Sequence, residues 1–502
     1  MATVTQRLRD MAFVMGAVGL VGCSSSSDSS PPDATSTGGT VNDQTTGGGP
    51  AAGGSAGQQT TGGSPAIGGS AGEETTGGSP AVGGSAGEET TGGGGGLEPA
   101  EEARSQTPYD TTPAVPAADY EAFISNTNDF GLDVFEQLAA EDTNVVFSPV
   151  STAFALAMTY AGARGETATQ MAAVLHNDLP DTTFHAALNQ LSLDLASRNV
   201  APHETIDGTK SVRLSLVNAA WAQQDYAILP DFLDILSANY DAGVRLLDYI
   251  GDPDGSRQII NRWVADETED KIQDLIPPDG ITTDTRLVLS NALYFYATWQ
   301  APFLLEATSA GTFSTLSGQD VATEMMHDTS YYRYAEGSGY QLLDLPYDGD
   351  ELCMTIVLPE AGRFSEIRDA LSDTWLTGVR AAATTDREIQ VSVPKFGFTW
   401  GTTSLTPALR ALGMTDAFEY PIADFSGIEP TRELYVSDVF HQAFVAIDEH
   451  GTEAAAATAV VLTAGAIPDP PVPFTVDRPF IFFIHDSTDV ILFAGQVVDP
   501  SS

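Results

Sequence analysis

The spacing that most suggests chemistry is Gly-Gly-Ser-Ala-Gly, which recurs around Ser55, Ser70 and Ser85. It matches the Gly-x-Ser-x-Gly pattern that exposes a nucleophilic serine on a tight turn between a strand and a helix. Here the flanks are Gly, Ser, Thr, Ala and Pro, so neither element can form and these serines are not nucleophiles. The seven histidines show no His-x-x-x-His spacing, and no glycine loop opens a helix after a strand. Structural roles are expected for His176, His185, His203, His327 and His485. The sequence therefore predicts a protein that is not an enzyme and holds no metal or cofactor.

A mechanical kind of chemistry is offered by Gly451-Thr-Glu-Ala-Ala-Ala-Ala-Thr458, followed by Ala459-Val-Val-Leu-Thr-Ala-Gly-Ala-Ile467. Alanine propensity alone would make this a helix. As a strand, alternate residues share a face. Thr452, Ala454, Ala456, Thr458 and Val460 then form one small, uncharged face. Glu453 falls on the other face with Ala455, Ala457, Ala459 and Val461. A charge on a buried face would strongly oppose insertion between two strands. Gly451 supplies a permissive pivot.

The elements that must position this segment lie between Tyr120 and the C-terminus. Ile124 to Leu138 carries apolar residues at helical spacing. A short strand, Val145 to Phe147, meets Ser-Pro, a favourable helix opening. The helix that follows runs to about Gly162 and has few polar positions, so it is expected to be buried nearly all round. A second helical pattern spans Asp254 to Ile276. Strand-like runs are Leu214–Trp221, Leu287–Tyr296, Glu388–Val393, Tyr435–Ile447, Ile481–His485 and Val490–Val497. Strands and helices mix without a βαβ beat, which predicts an α+β fold.

The first part of the chain reads as an address and a tether. Arg7 and Arg9 precede an apolar stretch from Met11 to Val21, too short to span a membrane. It ends Leu20-Val-Gly-Cys23, similar to a bacterial lipobox, with Cys23 as the lipidated residue and Ser24 after it. This predicts a signal peptide over 1–22 and acyl anchoring at the outer membrane or cell surface. Residues 23–116 are expected to be a flexible linker. A 15-residue unit repeats at Thr45–Gln59, Thr60–Glu74 and Thr75–Glu89, with almost nothing apolar to stack. Such a coil reaches roughly 50 Å. Residues 117–502 form the folded domain.

The net charge of −47 excludes nucleic acid and anionic headgroups as partners. Lysine occurs only at Lys210, Lys271 and Lys395. Such a surface is soluble at high salt, consistent with a saline habitat. Cys353, in the apolar run Leu352–Leu358, is expected to be a small buried side chain.

Several segments, in order, resemble the serpin family over about 380 residues, roughly Tyr120 to Asp499. Asn144-Val-Val-Phe-Ser-Pro-Val-Ser151 is similar to the start of the family's central helix. Asn261-Arg-Trp-Val264 with Thr268-Glu-Asp-Lys-Ile272, and Leu289-Ser-Asn-Ala-Leu-Tyr-Phe295 with Trp299, follow its pattern. So do Leu412–Phe418, Ala423–Ile428, Arg478-Pro-Phe480 and Leu492–Pro500. The resemblance implies three β-sheets, eight or nine helices and an exposed reactive loop, with Gly451 to Thr458 as its hinge. It implies a shutter network of Ser148, Ser151, Asn291 and His441, and a breach residue, Trp299. It also implies a monomeric suicide-substrate inhibitor of serine proteases, with cysteine proteases as a second target class. A non-inhibitory serpin that binds or chaperones is the alternative. The family's spacing places the reactive bond at Gly465–Ala466, with Ala464 as the alternative. These small residues suit elastase- or subtilisin-like enzymes. With Lys and Arg so sparse, no heparin site is expected.

Overall fold

The computed structural model describes residues 100–140, 142–452 and 470–501. Cys23, expected to be lipidated, the expected hinge residues Glu453, Ala454, Ala455, Ala456, Ala457 and Thr458, and the expected reactive-bond residues Ala464, Gly465 and Ala466 lie outside them. In chain order the elements begin β1 (Glu101–Ala103), α1 (Ala117–Leu138), β2 (Val145–Phe147), α2 (Pro149–Tyr160), α3 (Gly165–Val174) and α4 (Asp181–Ser197). Next come β3 (Val200–Thr205), β4 (Gly208–Gln223), α5 (Pro230–Tyr240), β5 (Val244–Leu247), α6 (Pro253–Glu267) and β6 (Leu287–Thr298). The middle holds β7 (Ser309–Ser314), β8 (Asp320–Ser330), β9 (Arg333–Gly337), β10 (Tyr340–Pro346), β11 (Leu352–Pro359), α7 (Phe364–Arg368) and α8 (Asp373–Ala382). The chain closes with β12 (Ile389–Pro394), β13 (Phe396–Ser404), α9 (Thr406–Ala411), β14 (Val436–Asp448), β15 (Gly451–Thr452), β16 (Val472–Thr475), β17 (Phe480–Asp486) and β18 (Ile491–Val497).

The strands form three sheets. The main sheet runs β1-β5-β4-β6-β15-β14-β13, with β3 paired to β4. The second is β2-β18-β17-β11-β10-β9 and the third β16-β12-β8-β7. In the second sheet every residue of β11, β17 and β18 is buried. Strands covered on both faces read as continuous apolar runs, as theirs do.

Helix α2 fills the space between the two larger sheets. All twelve of its residues are buried. Its start is set by Ser148, whose side chain accepts from the Ser151 amide, and by Pro149 in the first turn. An apolar helix with no polar face can sit only in a core. It thereby delivers Ser148 and Ser151 beneath the main sheet.

Two sequence expectations are corrected. Helix α6 ends at Glu267, and does not continue to Ile276. Positive φ angles at Glu269, Asp270 and Asp274 break the helical path. The chain then folds back so that the Asn261 side chain accepts from Ile276 N at 2.8 Å and donates to Ile276 O at 2.9 Å. Residues 100–116, expected as the end of the linker, are drawn onto the body. β1 pairs antiparallel with β5, Ser105 and Thr107 donate to Asp234, and Ser237 donates to Thr107 O at 2.6 Å. A charged three-residue strand thus covers an otherwise open sheet edge.

Asn261→Ala leaves the buried Ile276 amide without its partner, and leaves the Ile276 carbonyl with only a 3.4 Å bond from Arg257 Nη1. It is expected to cost roughly 1–3 kcal/mol, read as a lower midpoint in denaturant unfolding.

Candidate functional site

The site is the seam between β6 and β14. On one side β6 pairs with β4 along its length, from Val212↔Ala297 to Ala222↔Leu287. On the other it meets β14 in parallel only from Leu287↔Val436 to Asn291↔His441. At the opposite end β15 lies between them. Gly451 and Thr452 pair antiparallel with Thr298 and Ala297 of β6, and with Asp448 and Ile447 of β14. Between these two ends, 292–296 and 442–446 face each other with no ladder among the described residues. Gly451 and Thr452 thus form a two-residue central strand wedged into the top of the sheet.

Gly451 sits there for two physical reasons. Its φ is +147°, a region that L side chains rarely adopt, and a Cβ would stand 2.1 Å from Ala297 O. Thr452 is buried, and its Oγ1 lies 2.9 Å from Tyr347 Oη. Burial pushes the Tyr347 phenol well above its ordinary pKa, so it stays neutral and able to donate. Tyr347 stacks on Trp299, with centroids 4.5 Å apart and planes 11° apart. Trp299 in turn holds the chain just before the hinge, donating from Nε1 to Asp448 O at 3.0 Å and from its amide to His450 O at 2.8 Å.

Glu449 anchors the same turn. Its side chain is 2% exposed. Oε2 lies 3.0 Å from Lys395 Nζ, Oε1 accepts from Thr308 at 2.7 Å, and its carbonyl accepts from Phe303 N at 2.7 Å. Burial raises the carboxyl's pKa, but the Thr308 hydroxyl, a backbone amide and the Lys395 ammonium outweigh it, and the net shift is downward.

The four expected shutter residues do come together, all fully buried. The Ser148 amide donates to His441 Nε2 at 3.3 Å. That nitrogen is therefore the acceptor, and Nδ1 carries the proton, which it donates to Asn291 Oδ1 at 2.6 Å. Asn291 Nδ2 reaches Ser151 Oγ and Asn218 Oδ1, both at 2.8 Å. Ser151 Oγ lies 3.1 Å from Ala292 O. The network thus ties α2 to β4, β6 and β14 at the last paired rung of the seam. Burial pushes His441 down to about 3.

Sequence reasoning missed four participants. Asn218 was hidden in an otherwise strand-like run, although a polar residue inside one is a signal. Glu449 stands in the polar run Asp448-Glu-His450, where nothing local marks it as buried. Lys395 is one of three lysines in an acidic chain, and that scarcity could have marked it. For Tyr347 there is no local signal, because the cross-strand geometry alone places it.

Comparison with known proteins agrees with this geometry. The family model described as serpin, serine protease inhibitor, matches residues 125–500. An uncharacterized serpin-like protein of Thermococcus kodakarensis is 36% identical over 413 residues, covering 80% of this chain and 93% of that protein. Iris of Ixodes ricinus is 34% identical over 388 residues, covering 75% and 99%. Among solved structures, the native state of the thermophilic serpin tengpin superposes with a TM-score of 0.70 at 28% identity, covering 80% of this chain and all of that one. Human thyroxine-binding globulin gives 0.67 at 28%, covering 76% and 99%. The chain belongs to the serpin family, and its fold is the serpin fold.

Two outcomes follow from the geometry. Gly451→Val is expected to destabilise the native state by roughly 1–3 kcal/mol through forced backbone strain, measured by denaturant unfolding. His441 loses stability as pH falls: the unfolded chain takes up the proton near the ordinary value of about 6.5, the native state only near 3. Unfolding free energy should therefore decline from about pH 6.5 downward with a one-proton contribution that His441→Gln removes, checked by urea unfolding across that range.

Proposed function

We propose that this serpin inhibits serine proteases as a suicide substrate, and that its targets are elastase- or subtilisin-like. The observation that carries the reading is the hinge already lodged between β6 and β14 as a two-residue antiparallel strand.

Continuing that register gives each loop residue a place. Glu453 would come opposite Tyr296 and Ala446, the half-buried positions of their strands, with exposed Arg213 across from Tyr296. Ala454 would come opposite Phe295 and Val445, both buried. In that register the small face Thr452, Ala454, Ala456, Thr458 would turn to the core, while the one charge would meet the open side and a cation. Thr458 would arrive opposite Asn291, at the shutter, and Leu462 opposite Leu287, the foot of β6. The ten residues from Glu453 to Leu462, at ~3.3 Å each, span about 33 Å. A protease acylated at Gly465, or at Ala464 in the alternative register, would be carried that far before it could deacylate. In this scheme the inhibitor needs no catalytic group of its own. The protease serine supplies the nucleophile, and the loop supplies the carbonyl.

The proposal extends to place. Lipidated at Cys23, the domain would stand off the outer membrane or cell surface on its linker, as a monomer. Cys23→Ser should release it from membranes into the soluble fraction.

Mixing with elastase should give an SDS-stable complex cleaved within 462–467, as read by mass spectrometry. Thr452→Arg puts a charge on the core-facing side of the inserting strand and should turn inhibitor into substrate, with the complex lost and cleavage kept. Clean cleavage of the wild-type loop without a complex would instead support a binding role.

A further inference from the structure

We propose that Asp344, Cys353 and His485 form a binding site for one zinc-class divalent cation, in the second sheet beneath the breach. Three adjacent strands bring these residues to one face. Asp344 on β10 pairs with Thr355 on β11, and Cys353 on β11 pairs with His485 on β17. All three are buried, at 2%, 1% and 1% exposure. One carboxylate oxygen, the Sγ and one ring nitrogen lie within 4.8 Å of one another. Tetrahedral zinc with bonds of about 2.0–2.3 Å needs its ligands about 3.3–3.8 Å apart. Shifts of an ångström or less would close the site.

A proton count points the same way. His485 Nδ1 faces Asp486 O at 3.2 Å. A carbonyl can only accept, so Nδ1 carries the hydrogen and Nε2 presents a lone pair. Metal-bound histidines are typically oriented by such a bond from the second nitrogen. That Nε2 lies 2.8 Å from Thr355 Oγ1, and Thr355 Oγ1 also lies 2.5 Å from Asp344 Oδ1. One hydroxyl hydrogen cannot serve both acceptors. Asp344 Oδ2 is buried without a hydrogen bond. Its nearest cation, Arg333 Nη1, is 3.7 Å away, beyond hydrogen-bonding distance. Three acceptor atoms therefore converge on one hydroxyl hydrogen and the weakly donating Cys353 thiol, and a cation that displaces the thiol proton would satisfy them together.

The donor set selects the ion. Carboxylate, thiolate and imidazole together suit zinc, where calcium and magnesium prefer oxygen alone. The Cys353 thiol gives its proton to solvent as the sulfur–metal bond forms. Asp344 and Cys353 also line a cavity of about 180 Å³ shared with Trp299, Tyr332 and Arg333. The cavity gives an ion a way in and leaves room for water as a fourth ligand.

The test uses the full chain stripped with a chelator and titrated with cobalt, then zinc. One equivalent of cobalt should give a thiolate-to-metal charge-transfer band, which zinc abolishes. Cys23→Ser should keep the band and Cys353→Ser should lose it. Asp344→Asn and His485→Gln should each weaken zinc binding at least tenfold. Circular dichroism establishes that each variant is folded. Should Cys353→Ser not fold, the band in Cys23→Ser decides, because Cys353 is then the only sulfur nucleophile. No band in the stripped protein, or binding unchanged in Asp344→Asn and His485→Gln, would overturn the assignment.

Discussion

A strand inside a sheet must find partners along both edges, and β6 finds them along only one. Its ladder with β4 is continuous, while its ladder with β14 stops at Asn291↔His441 and gives way, five residues on, to the two-residue wedge of β15. The rest of the molecule is arranged around that incomplete seam. Because β6 and β14 run parallel, a strand entering between them from the top is antiparallel to both. Antiparallel ladders are slightly more stable per residue than parallel ones. Completing the seam therefore replaces a short, weaker ladder with two long ones.

Each end of the seam is held by a different physical device. At the foot, a buried polar network joins α2, β4, β6 and β14 through Ser148, Ser151, Asn218, Asn291 and His441. Buried hydrogen bonds cost most when one partner is withdrawn, so this network resists separation of β6 from β14. At the top, Trp299 and Tyr347 hold the hinge by stacking and hydrogen bonding, and Glu449 with Lys395 and Thr308 fixes the turn before it. Gly451 is the pivot between these anchors and the slot, since no side chain fits against Ala297 O.

How much of this was legible in the sequence depends on the range of the interaction. Helix α2 and strands β4, β6, β14, β17 and β18 were readable from apolar runs, because burial acts locally on residue type. Ser148, Ser151, Asn291, His441 and Trp299 were singled out through family resemblance; the structure joins the first four by hydrogen bonds and sets Trp299 at the top of the seam. Asn218, Tyr347 and the Glu449–Lys395 pair were not readable, because their roles arise from register across strands far apart in sequence. The over-long α6 had an apolar pattern continuing past its end, but the fold-back held by Asn261 overrides it. Residues 100–116 share the linker's Thr, Pro and acidic residues but contain no glycine, a change that could have marked the boundary, and their contacts with β5 and α5 make them part of the body.

The central claim is that the seam is open in the native state and is filled by the hinge strand after cleavage. Amide hydrogen exchange of 292–296 and 442–446, before and after cleavage of the loop, tests it most directly. The slot-facing amides should exchange quickly in the intact protein and become strongly protected once the loop is cut. Equal protection in both forms would show that no strand enters, and would contradict the account.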